Sequence, residues 1–130
     1  MSSGAYVLCL ELTESMFAEI GKLGTHYFEK GFYYYVGSAY NKNQKYSLEK
    51  RIIRHLKPAE MKKMHWHVDY FLVIKHVLVH SIILIPSQSK EECEIAKIIK
   101  DSTEKEIVRF GCSDCRCSSH LFYSRKYIFS

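Results

Sequence analysis

Three groups of side chains have the types and spacing to do chemistry. The first is aromatic. The chain has 10 tyrosines, and Tyr33, Tyr34 and Tyr35 run consecutively into Val36-Gly37. Tyrosines in a strand ordinarily fill a core and leave their hydroxyls at its edge. A strand that ends in glycine also admits a close neighbour, which would let Tyr35 present its hydroxyl at the mouth of a groove. The second group lies on an expected helix. At roughly 100° per residue, Leu48, Ile52 and Leu56 form an apolar stripe, with Arg51 and His55 together along its edge and Lys50 and Arg54 on the solvated side. A guanidinium there suits bidentate phosphate recognition, and an imidazole beside it can hold or move a proton near neutral pH. The ordinary alternative is that both merely snorkel from the helix edge. The third is Glu92, whose direction on a later helix is shared by Ile95, Ala96 and Ile99. A carboxylate on a buried face needs a partner such as a divalent cation, unless Ser89-Lys90-Glu91-Glu92 is a capping box that folds Glu92 back onto Ser89.

Two clusters compete with these. His65, His67 and Asp69 alternate, so on a strand they share a face and could bind a metal or wall a polar groove, and on a helix they could not. Cys112-x-x-Cys115-x-Cys117-x-x-His120 offers four zinc-type ligands in nine residues. Zinc, a disulfide within the cluster and locally packed reduced thiols all remain open for it.

Positioning these residues requires an ordered set of elements. Ala5 to Leu12 alternates as a strand, with Tyr6, Leu8, Leu10 and Leu12 on one face. Met16 to Phe28 reads as an irregular hairpin turning near Lys22 to Thr25, and Phe32 to Val36 as a central strand. A polar loop from Ser38 to Lys45 leads to a helix from Leu48 to Leu56 with Ser47 as N-cap. After the charged connection Lys57 to Lys63, His65 to Val73 fits a strand or a short helix. Val77 to Ile85 is a strand, and a helix runs from Ser89 to Lys100. Short pieces at Ile107 to Phe110 and Tyr127 to Phe129 flank the cysteines. The interleaving predicts one mixed α/β domain of the α+β type over residues 1–130, a small and mostly antiparallel sheet flanked by helices.

Composition bounds the function. With 130 residues, 47% of them hydrophobic, and only 2 Pro and 6 Gly, the chain suits one core and excludes a disordered or collagen-like polymer. The net charge of +5 favours a polyanionic partner without requiring one. No apolar run approaches the roughly 20 residues that cross a bilayer. The first residues lack the basic and apolar pattern of a leader, and five cysteines without one point to reduced thiols or a metal before a disulfide framework. The expected setting is cytoplasmic, with no membrane partner.

Taken in order, Gly4-Ala5-Tyr6, Tyr35-Val36-Gly37 about thirty residues later, Leu48-x-x-Arg51 with His55, and a later helix bearing Glu92 resemble the GIY-YIG nuclease superfamily. The resemblance covers about residues 4 to 100. His65-Trp-His-Val-Asp-Tyr70 and the segment from Phe110 to His120 (FGCSDCRCSSH) further resemble a branch of that superfamily with a Cys-rich C-terminal segment. It implies a small antiparallel sheet, Tyr6 and Tyr35 lining the site, Arg51 stabilising phosphate, and Glu92 holding one divalent ion, Mg²⁺ or Mn²⁺. His55 occupies a position that is commonly His or Tyr. Ala5 and Val36 replace the eponymous isoleucines, the Gly37 to Arg51 interval is longer than usual, and Glu94 is an alternative to Glu92. The implied activity is metal-dependent endonuclease cleavage of phosphodiester bonds, with DNA the favoured nucleic acid. A rival from a different class is a binding module that holds nucleic acid through Lys42, Lys45, Arg54, Lys62 and Lys63, stabilised by its Cys/His cluster. A redox or metal-handling role for the cysteines is a third.

Overall fold

The computed structural model describes residues 3–39, 47–112 and 117–129. Lys42, Lys45 and Cys115, and most of the polar loop after Ser38, lie outside them. The strands are β1 (Gly4–Leu12), β2 (Met16–Glu19), β3 (Thr25–Phe28), β4 (Gly31–Ser38), β5 (Val77–Pro86), β6 (Lys105–Glu106) and β7 (Leu121–Ser124). The helices are α1 (Leu48–His55), α2 (His67–Leu72) and α3 (Glu92–Asp101). Five strands form one sheet in the order β5-β1-β4-β7-β6, every neighbouring pair antiparallel, and β2 and β3 form a separate two-stranded sheet. The fold is therefore α+β, as the interleaved pattern predicts.

The alternation along β1 and β4 builds a core on each face of the main sheet. Tyr6, Leu8, Leu10 and Leu12 pack with Tyr33, Leu48, Val68 and Phe71 on the face that carries α1 and α2. Val7, Cys9, Tyr34 and Val36 pack with Ala96 and Ile99 of α3 on the other. The register pairs Tyr6 with Gly37 and Leu8 with Tyr35, so the two tyrosines at this end of the sheet belong to one face. No helix among the described residues is long and apolar enough to cross a membrane.

Several boundaries differ from the sequence expectation for local physical reasons. Ser47 caps α1 as expected, accepting a hydrogen bond from the Lys50 N–H at 3.2 Å. Leu56, expected in the buried stripe, is instead 51% exposed, because the helix ends at His55 and Leu56 turns outward as its C-cap. The third helix starts at Glu92, not Ser89. The Ser89 N–H donates to the Ser87 hydroxyl at 3.1 Å and the Ser89 hydroxyl to the Glu91 carboxylate at 3.1 Å, so Ser89 closes a local turn and the capping box with Glu92 does not form. The C-terminal strand is Leu121–Ser124, between β4 and β6, rather than either of the short pieces expected at Ile107 to Phe110 and Tyr127 to Phe129.

Candidate functional site: a tyrosine and arginine cleft at the end of the sheet

At the Gly37 end of β1 and β4 the structure opens a cleft of about 420 Å³. Tyr6, Tyr35, Arg51 and Glu92 all line it, contributed by β1, β4, α1 and α3. The body of α3 covers the opposite face of the sheet, yet its first residue reaches the cleft, where Val36, Gly37 and Ser38 also form the wall. Gly37 is required here for space: a Cβ at this position would collide with the ring of Tyr6. The close approach that a terminal glycine permits is thus made by the Tyr6 side chain.

Behind Tyr6 sits His55, buried, with Nε2 2.6 Å from the Tyr6 hydroxyl. Burial lowers its pKa to about 4, so the imidazole is neutral at physiological pH. Its Nδ1 is buried and has no hydrogen-bond partner among the described residues. Burial also pushes the Tyr6 hydroxyl well above the ordinary phenol range, with Arg51 opposing that shift and Glu92 adding to it. Tyr35 is raised as well, by burial first and then by Tyr6. Both phenols are therefore protonated in the ligand-free protein.

Arg51 sits over the indole of Trp66, its guanidinium carbon 4.4 Å from the ring centroid, while that of Arg54 is 4.3 Å from the same centroid. A planar cation held in this way has lost rotamer freedom before any ligand arrives. Arg54 is occupied differently from the expectation that it faces solvent and contacts phosphate. It grips Asp69 with two parallel hydrogen bonds of 2.8 and 2.9 Å and donates to the Lys63 carbonyl at 3.0 Å. Lys62 is likewise turned inward, its ammonium 2.6 Å from the His55 carbonyl. Lys63 is exposed.

The His65, His67 and Asp69 group does not share a face, because His67–Leu72 is helical. His65 and His67 line the cleft, whereas Asp69 is fully buried beneath it. Its carboxylate accepts from the backbone N–H groups of His65 and Trp66, both at 2.8 Å, as well as from Arg54. Burial alone would raise the Asp69 pKa, but these four donors hold it below the usual carboxylate range. Asp69 is thus an organiser of the α1–α2 corner and not a groove wall. His67 takes the Gly111 N–H on Nδ1 at 2.9 Å, which ties the segment after β6 to the cleft.

The cysteines also rearrange. Cys117 is disulfide-linked to Cys93 of α3, a pairing that reaches outside the expected cluster, and Cys112 is half-buried with its thiol 3.6 Å from the Phe110 carbonyl. One sulfur each from Cys93 and Cys117 and a ring nitrogen of His120 lie within 4.8 Å of one another, a group able to hold a metal ion. This group takes Cys93 from a helix some twenty residues before the expected cluster, of which Cys115 lies outside the described residues. Local spacing concealed Cys93, since only the fold brings α3 beside β7.

Glu92 lines the cleft and Glu94 is exposed on the outer side of α3. Three lining residues carry no chemical signal of their own in the sequence: Lys22, Trp66 and Tyr70. Lys22 and Tyr70 look like ordinary turn and helix residues, and Trp66 is marked only by being the one tryptophan.

The family described as Domain of unknown function DUF123 matches residues 5–129, and the chain belongs to that family. No curated protein and no solved structure matches it.

Proposed function

We propose that this protein is a metal-dependent endonuclease of the GIY-YIG type that hydrolyses phosphodiester bonds in nucleic acid, with DNA the favoured substrate. The observation that carries the reading is the meeting of Tyr6, Tyr35, Arg51 and Glu92, from four separate elements, around one cleft. Among the described residues that line it, Glu92 is the only carboxylate, beside the cations Lys22 and Arg51. That donor set fits a hard divalent ion which takes one carboxylate and fills its remaining positions with water and phosphate oxygens. Glu92 would hold Mg²⁺ or Mn²⁺, which would supply positive charge to the phosphate.

The protein's own groups divide the remaining work. Arg51, preset on Trp66, donates to the nonbridging oxygens, whose charge builds in the transition state. The Tyr6 hydroxyl takes the proton of the attacking water while passing its own to His55 Nε2, 2.6 Å away. Burial keeps His55 neutral, which leaves Nε2 a lone pair for the Tyr6 O–H, and opposes the imidazolium as it opposes the phenolate. Since burial opposes the phenolate, Tyr6 becomes a base only when cationic charge fills the cleft, which restricts proton removal to the loaded site. The Tyr35 hydroxyl, held protonated by burial, is a donor for substrate oxygens in the same cleft.

The test is Mg²⁺-dependent or Mn²⁺-dependent nicking of supercoiled, branched and single-stranded DNA. Arg51→Ala is expected to slow cleavage by about 100-fold or more while lowering DNA affinity only a few-fold, and Glu92→Gln to shift the metal requirement to higher concentrations. Wild-type protein that binds these substrates in either metal and cuts none of them would overturn the nuclease reading in favour of a binding module. The inward engagement of Arg54 and Lys62 already removes two of the cations such a module would use.

A further inference from the structure

His120 belongs both to the cleft and to a second set of ligating side chains. Cys93 is the second residue of α3, Cys117 lies just before β7, and their Cα atoms are 6.1 Å apart. His120 is buried and its backbone is fixed from both sides: its N–H donates to the Phe110 carbonyl at 2.8 Å and its carbonyl accepts from the Val36 N–H at 2.9 Å. Its imidazole comes within 4.8 Å of both sulfurs and also lines the cleft. Cys93 is exposed, so solvent, reductant and ions have access to the pair.

We propose that the reduced form of this group is a zinc site, with the thiolates of Cys93 and Cys117 and the imidazole of His120 as its three protein ligands and water at the fourth position. Two thiolates and an imidazole are soft and borderline donors that select zinc over the hard cations suited to Glu92. In a tetrahedral site with Zn–S distances of about 2.3 Å the sulfurs stand about 3.8 Å apart. Side-chain rotation alone can reach that spacing from the observed Cα separation. The first turn of a helix stabilises a thiolate, which favours ionised Cys93.

The disulfide and the zinc ion exclude one another, because both use the same two sulfurs. A small dithiol reductant transfers two electrons and two protons, breaking the S–S bond to give two thiols while itself closing to a disulfide. Zinc binding then releases both thiol protons to solvent. Either clasp ties the first turn of α3 to the strand entering the sheet, and Glu92 is the neighbour of Cys93. The site is defined by binding and does not depend on what the cleft does.

The experiment titrates Zn²⁺ against a chromophoric chelator, and Co²⁺ by its thiolate charge-transfer absorbance, using dithiol-reduced protein desalted without oxygen. One equivalent is expected for the reduced chain and none for the oxidised chain, which has the same sequence and serves as a folded control. Cys93→Ser should weaken zinc binding on the order of 100-fold or more, and Cys112→Ser should leave it unchanged, with circular dichroism verifying both folds. Reduced wild-type protein that takes up no zinc would overturn the proposal. So would uptake that survives Cys93→Ser but follows Cys112 and Cys115. DNA cleavage is not among the readouts, so the result stands apart from the fate of the nuclease reading.

Discussion

Burying His55 against the Tyr6 hydroxyl has a measurable cost in acid. The folded protein holds His55 at a pKa of about 4, against 6.5 for an unhindered histidine, chiefly because burial penalises its charged form. Asp69 pulls the other way, whereas Arg54, Lys62 and Arg51 reinforce the depression. Between those two values the unfolded chain binds a proton that the folded chain refuses. The stability contributed by neutral His55 is therefore complete above about pH 6.5 and is lost as pH falls towards 4, by up to about 3 kcal/mol. His55→Gln should flatten the decline in melting temperature between pH 7 and pH 4.5. His67, also depressed by burial, contributes a smaller slope of the same sign that the variant retains. A variant whose melting temperature falls with pH as steeply as that of the wild type would show that His55 is not the group titrating. The sequence placed Tyr6 and His55 on the right faces of a strand and a helix, but their hydrogen bond spans 49 residues and no periodicity encodes it.

The element scale shows why part of the site was legible and part was not. Alternation along β1 and the 3.6-residue period of α1 are local signals, and they fixed which side chains share a face. The corner between α1 and α2 is not local. Arg54 looks like a solvated helix residue and Asp69 like one member of an alternating trio, until the helical turn at His67 brings the carboxylate under Trp66. β7 escaped for a similar reason: its four residues are all buried, between two neighbours, so no polar face marks the period. The corner has its own prediction. Asp69→Ala removes an acceptor shared by two backbone N–H groups and both Arg54 hydrogen bonds, leaving buried donors without a partner. It should destabilise the fold by about 3 kcal/mol in urea titrations. Arg54→Ala should cost less, because Arg54 is a quarter exposed while Asp69 keeps its backbone donors. If Arg54→Ala left stability untouched and acted only on nucleic-acid affinity, the clasp would not be the role of Arg54.

For the whole molecule, a net charge of +5 says less than the disposition of the cations that produce it. Arg54 is neutralised by Asp69 and Lys62 points its ammonium at a backbone carbonyl, with burial lowering its pKa. Lys22 on the cleft wall and Lys63 are both exposed. Binding to a polyanion releases one condensed counterion for each phosphate neutralised, so the slope of log K against log salt measures how many cations touch the backbone. For duplex DNA in metal-free buffer, where no cutting intervenes, Lys22→Ala and Lys63→Ala should each flatten that slope by about one. Lys62→Ala should leave the slope alone and lower the melting temperature instead, since its loss is felt at the end of α1. Equal flattening by all three variants would mean that the DNA path ignores the cleft and follows charge alone, which would favour a binding surface over a catalytic one.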